Sequence, residues 1–302
     1  MKNLFLFAAL AIVTVVAVHS GEKTFDQSFP VSAGGTLNLK TDLGSVEIVG
    51  VEGGTEASIH AIVQGRQRDV DEFEITAKAT PMGVEVVGRS PRARRWWSSG
   101  TNDLTASFVV KVPAYYNITV QTAGGNLTIK DIRGKIEGGT SGGDITLHTV
   151  NGTVELKTSG GNVHAEKIEG MAKLGTSGGN VRITRARGDI DVTTSGGNIA
   201  LAEIEGKVRA ETSGGDIVVR LKDAYKGISA RTSGGNIDIT VPPALAATID
   251  AETSGGEVSC DLPVTMSGKL SENRVRGTVN GGGPTLYARA SGGNVRIHAE
   301  PK

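Results

Sequence analysis

The chain has 302 residues, of which 43 are glycine, and only 4% are aromatic. Lysine plus arginine equals aspartate plus glutamate at 32 each, so the whole-chain charge gives no reason to expect a nucleic-acid partner. The glycines do not recur every third residue, which excludes collagen, and regularly placed Val, Ile and Leu supply a core that a disordered chain lacks.

Residues 1–20 read as a secretory signal peptide. Lys2 gives the positive start, and Leu4 to Val18 is apolar apart from one Thr. Val18-His19-Ser20 then places small residues where a signal peptidase cuts, so cleavage is expected after Ser20. The apolar run is short for a transmembrane helix, which needs about 20 residues. An uncleaved anchor is the competing reading. No other segment is apolar enough to span a bilayer, so the mature chain is expected to have no transmembrane span.

Residues 21–121 form an irregular, strand-rich region. Alternation is visible at Leu37 and Leu39, Val46 and Ile48, Ala57, Ile59 and Ala61, Phe73 and Ile75, and Val84 and Val86. Thr41 to Ile48 reads as a decayed copy of a later repeat. Phe108 to Val112 is a strand ended by Pro113, which cannot continue a ladder. Between these lies a stretch from Arg89 to Gly100 with both tryptophans and four arginines. One reading makes Arg92, Arg94, Arg95, Trp96 and Trp97 a contact site for an envelope glycan, a protein or an anionic surface. The other, which is favoured, is a hairpin tip whose tryptophans fold back onto the sheet.

Residues 122–302 repeat. Thr-Ser-Gly-Gly-Asn begins at Thr158, Thr176, Thr194 and Thr232, with variants at Thr122, Thr140, Thr212, Thr253 and Ala290. From Thr122 to Thr212 the step is 18 residues. Each period resolves into two short strands and two turns. Inward positions after the Gly-Gly turn include Val163 and Ala165, Val181 and Ile183, and Ile199 and Leu201. On the return they include Val154 and Leu156, Ile190 and Val192, and Val208 and Ala210. One period cannot bury its own apolar face, and stacking in parallel does so. The fold expected is all-β: a single-chain parallel β-solenoid of about 18 residues per coil, with right-handed winding as the default. Past Thr232 the period slips, and a break from Ser271 to Ala290 carries Gly281-Gly282-Gly283-Pro284. A bulging loop or skipped corner is expected there, before a last strand at Asn294 to His298. That strand would leave a thin cap and an exposed edge, which favours end-to-end self-association. Cys260, the only cysteine, alternates with Val258 on an expected inward face as a small buried residue, so no intramolecular disulfide forms.

Stacking turns equivalent positions into columns. The residue after Gly-Gly is Asn or Asp in every repeat but one, which predicts a hydrogen-bonded ladder ahead of a calcium site. The outward columns alternate in sign: Glu155, Lys173, Asp191, Arg209; Glu169, Arg187, Glu205, Lys226; and Glu211, Arg231, Glu252. That pattern weighs against an enzyme. Glu137 and Glu155 are the one adjacent acidic pair in their column, and His60, His148, His164 and His298 lack metal-ligand spacing. No cofactor is expected.

The tandem Thr-Ser-Gly-Gly-Asn/Asp coils, after a signal peptide and an irregular region ending Val112-Pro113, resemble the bacterial putative-adhesin family of β-solenoid domains of unknown function. The likeness covers roughly residues 30–302 and implies a β-solenoid exported to the bacterial envelope. It transfers no functional residues. The expectation is a non-enzymatic scaffold or binding surface in the periplasm, on the outer cell surface or outside the cell. The alternative is a polysaccharide-binding or polysaccharide-cleaving β-helix.

Overall fold

The computed structural model describes residues 12–14, 21–90, 104–266 and 271–300. Most of the expected signal segment lies outside these residues, as do Arg92, Arg94, Arg95, Trp96 and Trp97. Among the described residues the chain is all-β apart from one helical turn and a half, Gln67–Glu72. It divides into two compact units, Met1–Thr140 and Ser141–Lys302.

In the second unit the repeats stack as parallel ladders. Val163 pairs with Val181, Val181 with Ile199, and Ile199 with Ile217. On the return strands Val154 pairs with Ala172, Ala172 with Ile190, and Ile190 with Val208. Period-2 alternation puts every one of these residues inward, and all are buried. The expected core positions are therefore correct.

The turn holding the strands together has no room for a side chain. A β carbon on Gly179 would lie 2.2 Å from the carbonyl oxygen of Gly161, the same glycine one repeat earlier. No backbone carbonyl can yield that much, so the second glycine of each pair serves close approach. The first is less constrained: a β carbon on Gly178 would sit 3.4 Å from the Gly160 oxygen. The repeat threonine faces inward, as expected. Thr176 Oγ1 donates to the Gly161 carbonyl at 2.7 Å and accepts the Gly179 N–H at 3.2 Å. Its buried hydroxyl is thus satisfied within the turn it braces.

The C-terminal part departs from the expected chain order. Val295–Ala299 is not an outermost strand. It pairs in parallel with Ile237–Val241 on one side and with Val258–Cys260 on the other. Thr285–Ala290 likewise lies between Ile217–Thr232 and Ala247–Thr253. The last repeat is therefore interposed between two repeats that precede it in sequence. Ala247–Thr253 is then covered by Arg274–Val279, which runs antiparallel to it and to Val264–Met266. The expected bulging loop is mostly strand, and the chain reverses through Asn280, Gly281 and Gly282, all at positive φ. The cap is partial: Arg274–Val279 covers Ala247–Thr253, while Val258–Cys260 has Val295–Ala299 as its one strand partner among the described residues. The exposed edge expected at Val295–Ala299 falls instead at Val258–Cys260. Cys260 and Val258 are only half-buried, because their strand is the outer one of this group.

The first unit shows the same device. Thr36–Thr41 lies between Gly83–Arg89 and Asn117–Thr122, parallel to both. Ser45–Val51 lies between Thr105–Pro113 and Leu127–Arg133. The decayed copy at Thr41 to Ile48 is thus a working repeat, and Thr122 Oγ1 donates to the Gly44 carbonyl at 2.7 Å. Glu56–Gln64 covers Thr105–Pro113 antiparallel, and Glu74–Thr80 covers Gly83–Arg89 antiparallel. Glu22–Pro30 pairs with Glu56–Gln64 and with the short strand Ile12–Thr14.

Replacing Gly179 with Ala should destabilise the chain by about 3 kcal/mol, since a neighbouring strand must shift. Gly178→Ala should change stability by less than about 1 kcal/mol. Urea unfolding of the two variants checks this; equal midpoints would refute the close-approach role.

Candidate functional site

The outer walls are built from the positions that alternate with the core. Along one corner, the Asp144 carboxylate accepts the Asn162 backbone N–H at 2.6 Å, and Asn162 Oδ1 accepts that of Asn180 at 2.9 Å. The ladder continues through Asn198, Asp216 and Asn236. Interposition then inserts Asn294 between Asn236 and Glu257. The side-chain oxygens are therefore committed to backbone donors of the next repeat. Among the described residues no group of three or more His, Cys, Asp or Glu is arranged to hold a metal ion.

The charged columns form ion pairs between repeats. Lys173 meets Glu155 at 3.1 Å, Arg187 meets Glu205 at 2.8 Å, and Arg185 meets Glu203 at 2.9 Å. His148 Nδ1 lies 2.6 Å from Glu166, and in the first unit His60 Nδ1 lies 2.6 Å from Asp26. His298 is 3.5 Å from Asp238. These histidines stay scattered, as the sequence implies. Lys226 does not extend the Glu205 column. The register shifts between Leu201 and Val208, and Lys222 reaches Glu203 at 3.4 Å instead.

Arginine hydrogen bonds hold several wall carboxylates below the ordinary carboxylate range. Arg185 does this to Glu203, Arg187 to Glu205 and Arg276 to Asp250. A general acid needs the opposite shift. These groups act as fixed counter-ions.

The alternation of sign also fails at Arg231. Glu211, Arg231 and Glu252 do not neighbour one another in that order, because Arg289 lies between Arg231 and Glu252. Arg231 and Arg289 both lean on Tyr287, with Cζ 4.9 Å and 5.2 Å from the ring centroid. Beside them is an open cavity of about 430 Å³, lined by Thr193, Glu211, Ser213, Arg231, Ser233, Arg289 and Ser291. This is the candidate site. Arg231 was legible in sequence as a column member. Arg289 and Tyr287 were not, because nothing local marks the strand that carries them as interposed.

The Toastrack DUF4097 family matches residues 12–298. The chain belongs to that family. The Toastrack chain has the fold of a solved structure described as a putative adhesin from Parabacteroides merdae. That likeness has a TM-score of 0.54 at 12% identity, and covers 92% of this chain and 97% of the other. A putative lipid binding protein from Parabacteroides distasonis is similar at a TM-score of 0.44 and 11% identity, over 93% of this chain and 97% of that one. No curated protein matches the Toastrack chain. Among its described residues no helix is long and apolar enough to cross a membrane.

The carboxylate shifts give a test of the wall. A depressed pKa in the folded state adds stability above the unfolded carboxylate value of about 4.3, and that stability is lost as pH falls through the folded pKa. Glu203 followed by NMR should titrate below an ordinary glutamate, and Arg185→Ala should move its midpoint upward. An unmoved midpoint would show that Arg185 does not hold it.

Proposed function

We propose that this Toastrack chain is an exported, non-enzymatic β-solenoid of right-handed, 18-residue coils that presents a binding surface in the bacterial cell envelope. The observation carrying this reading is the state of the wall carboxylates. Glu203, Glu205 and Asp250 are held ionised by arginines across neighbouring strands, which suits a fixed charge display and opposes proton transfer. Strand pairing holds such side chains at set spacings, so a long ligand meets an ordered array rather than a single catalytic pocket.

Export rests on the apolar leader of residues 1–20 with its small residues before Gly21. The segment containing Arg92, Arg94, Arg95, Trp96 and Trp97 is a proposed contact with an envelope glycan, a protein or an anionic surface, on its arginine and tryptophan content.

Expression of the full-length chain with a C-terminal tag, followed by cell fractionation, should place it outside the cytoplasm and shortened by the leader. A full-length cytoplasmic product would overturn export. Added to intact cells, the purified protein should bind their surface. Changing Arg94, Arg95, Trp96 and Trp97 together to Ala should reduce that binding several-fold; unchanged binding removes the segment from the contact.

A further inference from the structure

The wall's charge pattern breaks where Thr285–Ala290 is interposed. Sign alternation would set a carboxylate opposite Arg231, and the interposed strand sets Arg289 there in direct register. The two residues are one strand spacing apart, about 4.8 Å. Like charges directly opposite on paired strands oppose each other. The nearby carboxylates do not quench both. Glu211 takes a 2.9 Å hydrogen bond from Arg209 and stands 3.6 Å from Arg231. Glu252 is shared, at 3.0 Å from Arg289 and 3.7 Å from Arg274. Arg289 Nε is buried without a hydrogen-bond partner. Both guanidinium groups nevertheless stay reachable, with side chains 54% and 39% exposed.

Tyr287 orders this pair. One ring underlies both guanidinium groups, which fixes planar donor forks that suit a carboxylate or sulfate. The forks open on the cavity rimmed by Ser213, Ser233 and Ser291, the serines of three successive turns in space. Their strands also repeat at about 4.8 Å, so the rim is a row of hydroxyls beside a cationic clasp.

We infer that this cavity binds an acidic oligosaccharide, with Arg231 and Arg289 clasping one sugar carboxylate or sulfate and the serine row meeting ring hydroxyls. This rests on the binding-surface reading above and names its ligand class. A bare inorganic anion uses the arginines and leaves the serine row idle. A phospholipid surface is disfavoured because Glu211 and Glu252 flank the arginines and repel a dense anionic layer. The same flanking charges suit a single chain whose carboxylates are separated by ring hydroxyls better than a two-dimensional anionic layer.

Calorimetric titration of the full chain at low ionic strength tests this. The probes are an oligogalacturonate, a neutral oligosaccharide of equal length, inorganic phosphate and phosphatidylglycerol vesicles. Oligogalacturonate should bind, and the neutral sugar should bind at least tenfold more weakly. Arg231→Ala and Arg289→Ala should each weaken oligogalacturonate binding at least tenfold, and Arg231→Lys by a smaller factor. Arg182→Ala, a basic change on another wall, should leave it unchanged. Ser233→Ala, at an exposed hydroxyl, should weaken it several-fold with an unchanged melting temperature, which keeps the test valid where an arginine variant fails to fold. The inference is overturned if oligogalacturonate does not bind, if the neutral sugar binds equally, if Arg231→Ala and Ser233→Ala leave binding intact, or if phosphate or vesicles bind more tightly at the same arginines. Surface binding to intact cells alongside no oligogalacturonate binding would sink this inference and leave the broader reading standing.

Discussion

One backbone contact governs this molecule: the second glycine of a turn lies against the backbone carbonyl of the matching glycine in the neighbouring repeat. The gap at Gly179 excludes even a β carbon. That contact sets how closely successive repeats approach, and so it sets the strand register. Register in turn decides which face each side chain takes, because a slip of one residue would turn every apolar residue outward. Thr176 braces the same turn from inside, and the Asn162–Asn180 hydrogen bond braces it from outside. A short sequence therefore carries three jobs, and its recurrence reflects geometry rather than a ligand.

A stack of parallel strands has an edge problem, since its outermost backbone groups are left unpaired. Both units meet it in the same way. Antiparallel strands cover outer parallel strands: Glu56–Gln64 and Glu74–Thr80 in the first unit, and Arg274–Val279 over Ala247–Thr253 in the second. An antiparallel cover needs the chain to reverse and return, and the returning segment must be placed. In the second unit it is placed inside the stack, as Thr285–Ala290 and Val295–Ala299. Interposition is thus tied to capping, and it is also what brings Arg289 beside Arg231.

The regular walls and the irregular patch differ in electrostatics for that reason. Where repeats follow one another in sequence, opposite charges meet, and surface pairs of this kind each contribute little to stability. Their value is positional. Where order is broken, two arginines meet over one tyrosine, and their donors outnumber the carboxylate oxygens nearby. Ligand recognition is cheapest to build at such a place, because the unmet donors already exist.

The sequence by itself determined the all-β class, the 18-residue spacing, the inward residues from Val154 to Ala230, the inward threonine and the asparagine ladder. Each of these is a local or periodic property that alternation and turn chemistry write directly into the chain. Only the tertiary structure decided the order in which repeats lie beside one another. Parallel strands with the same alternation are interchangeable as neighbours, so Ile237 carries no mark that its partner is Val295 and not Val258. The half-buried state of Cys260, the capping strands and the Arg231–Arg289 pair all follow from that choice of neighbour. Neighbour choice is a property of the whole stack and not of any one repeat.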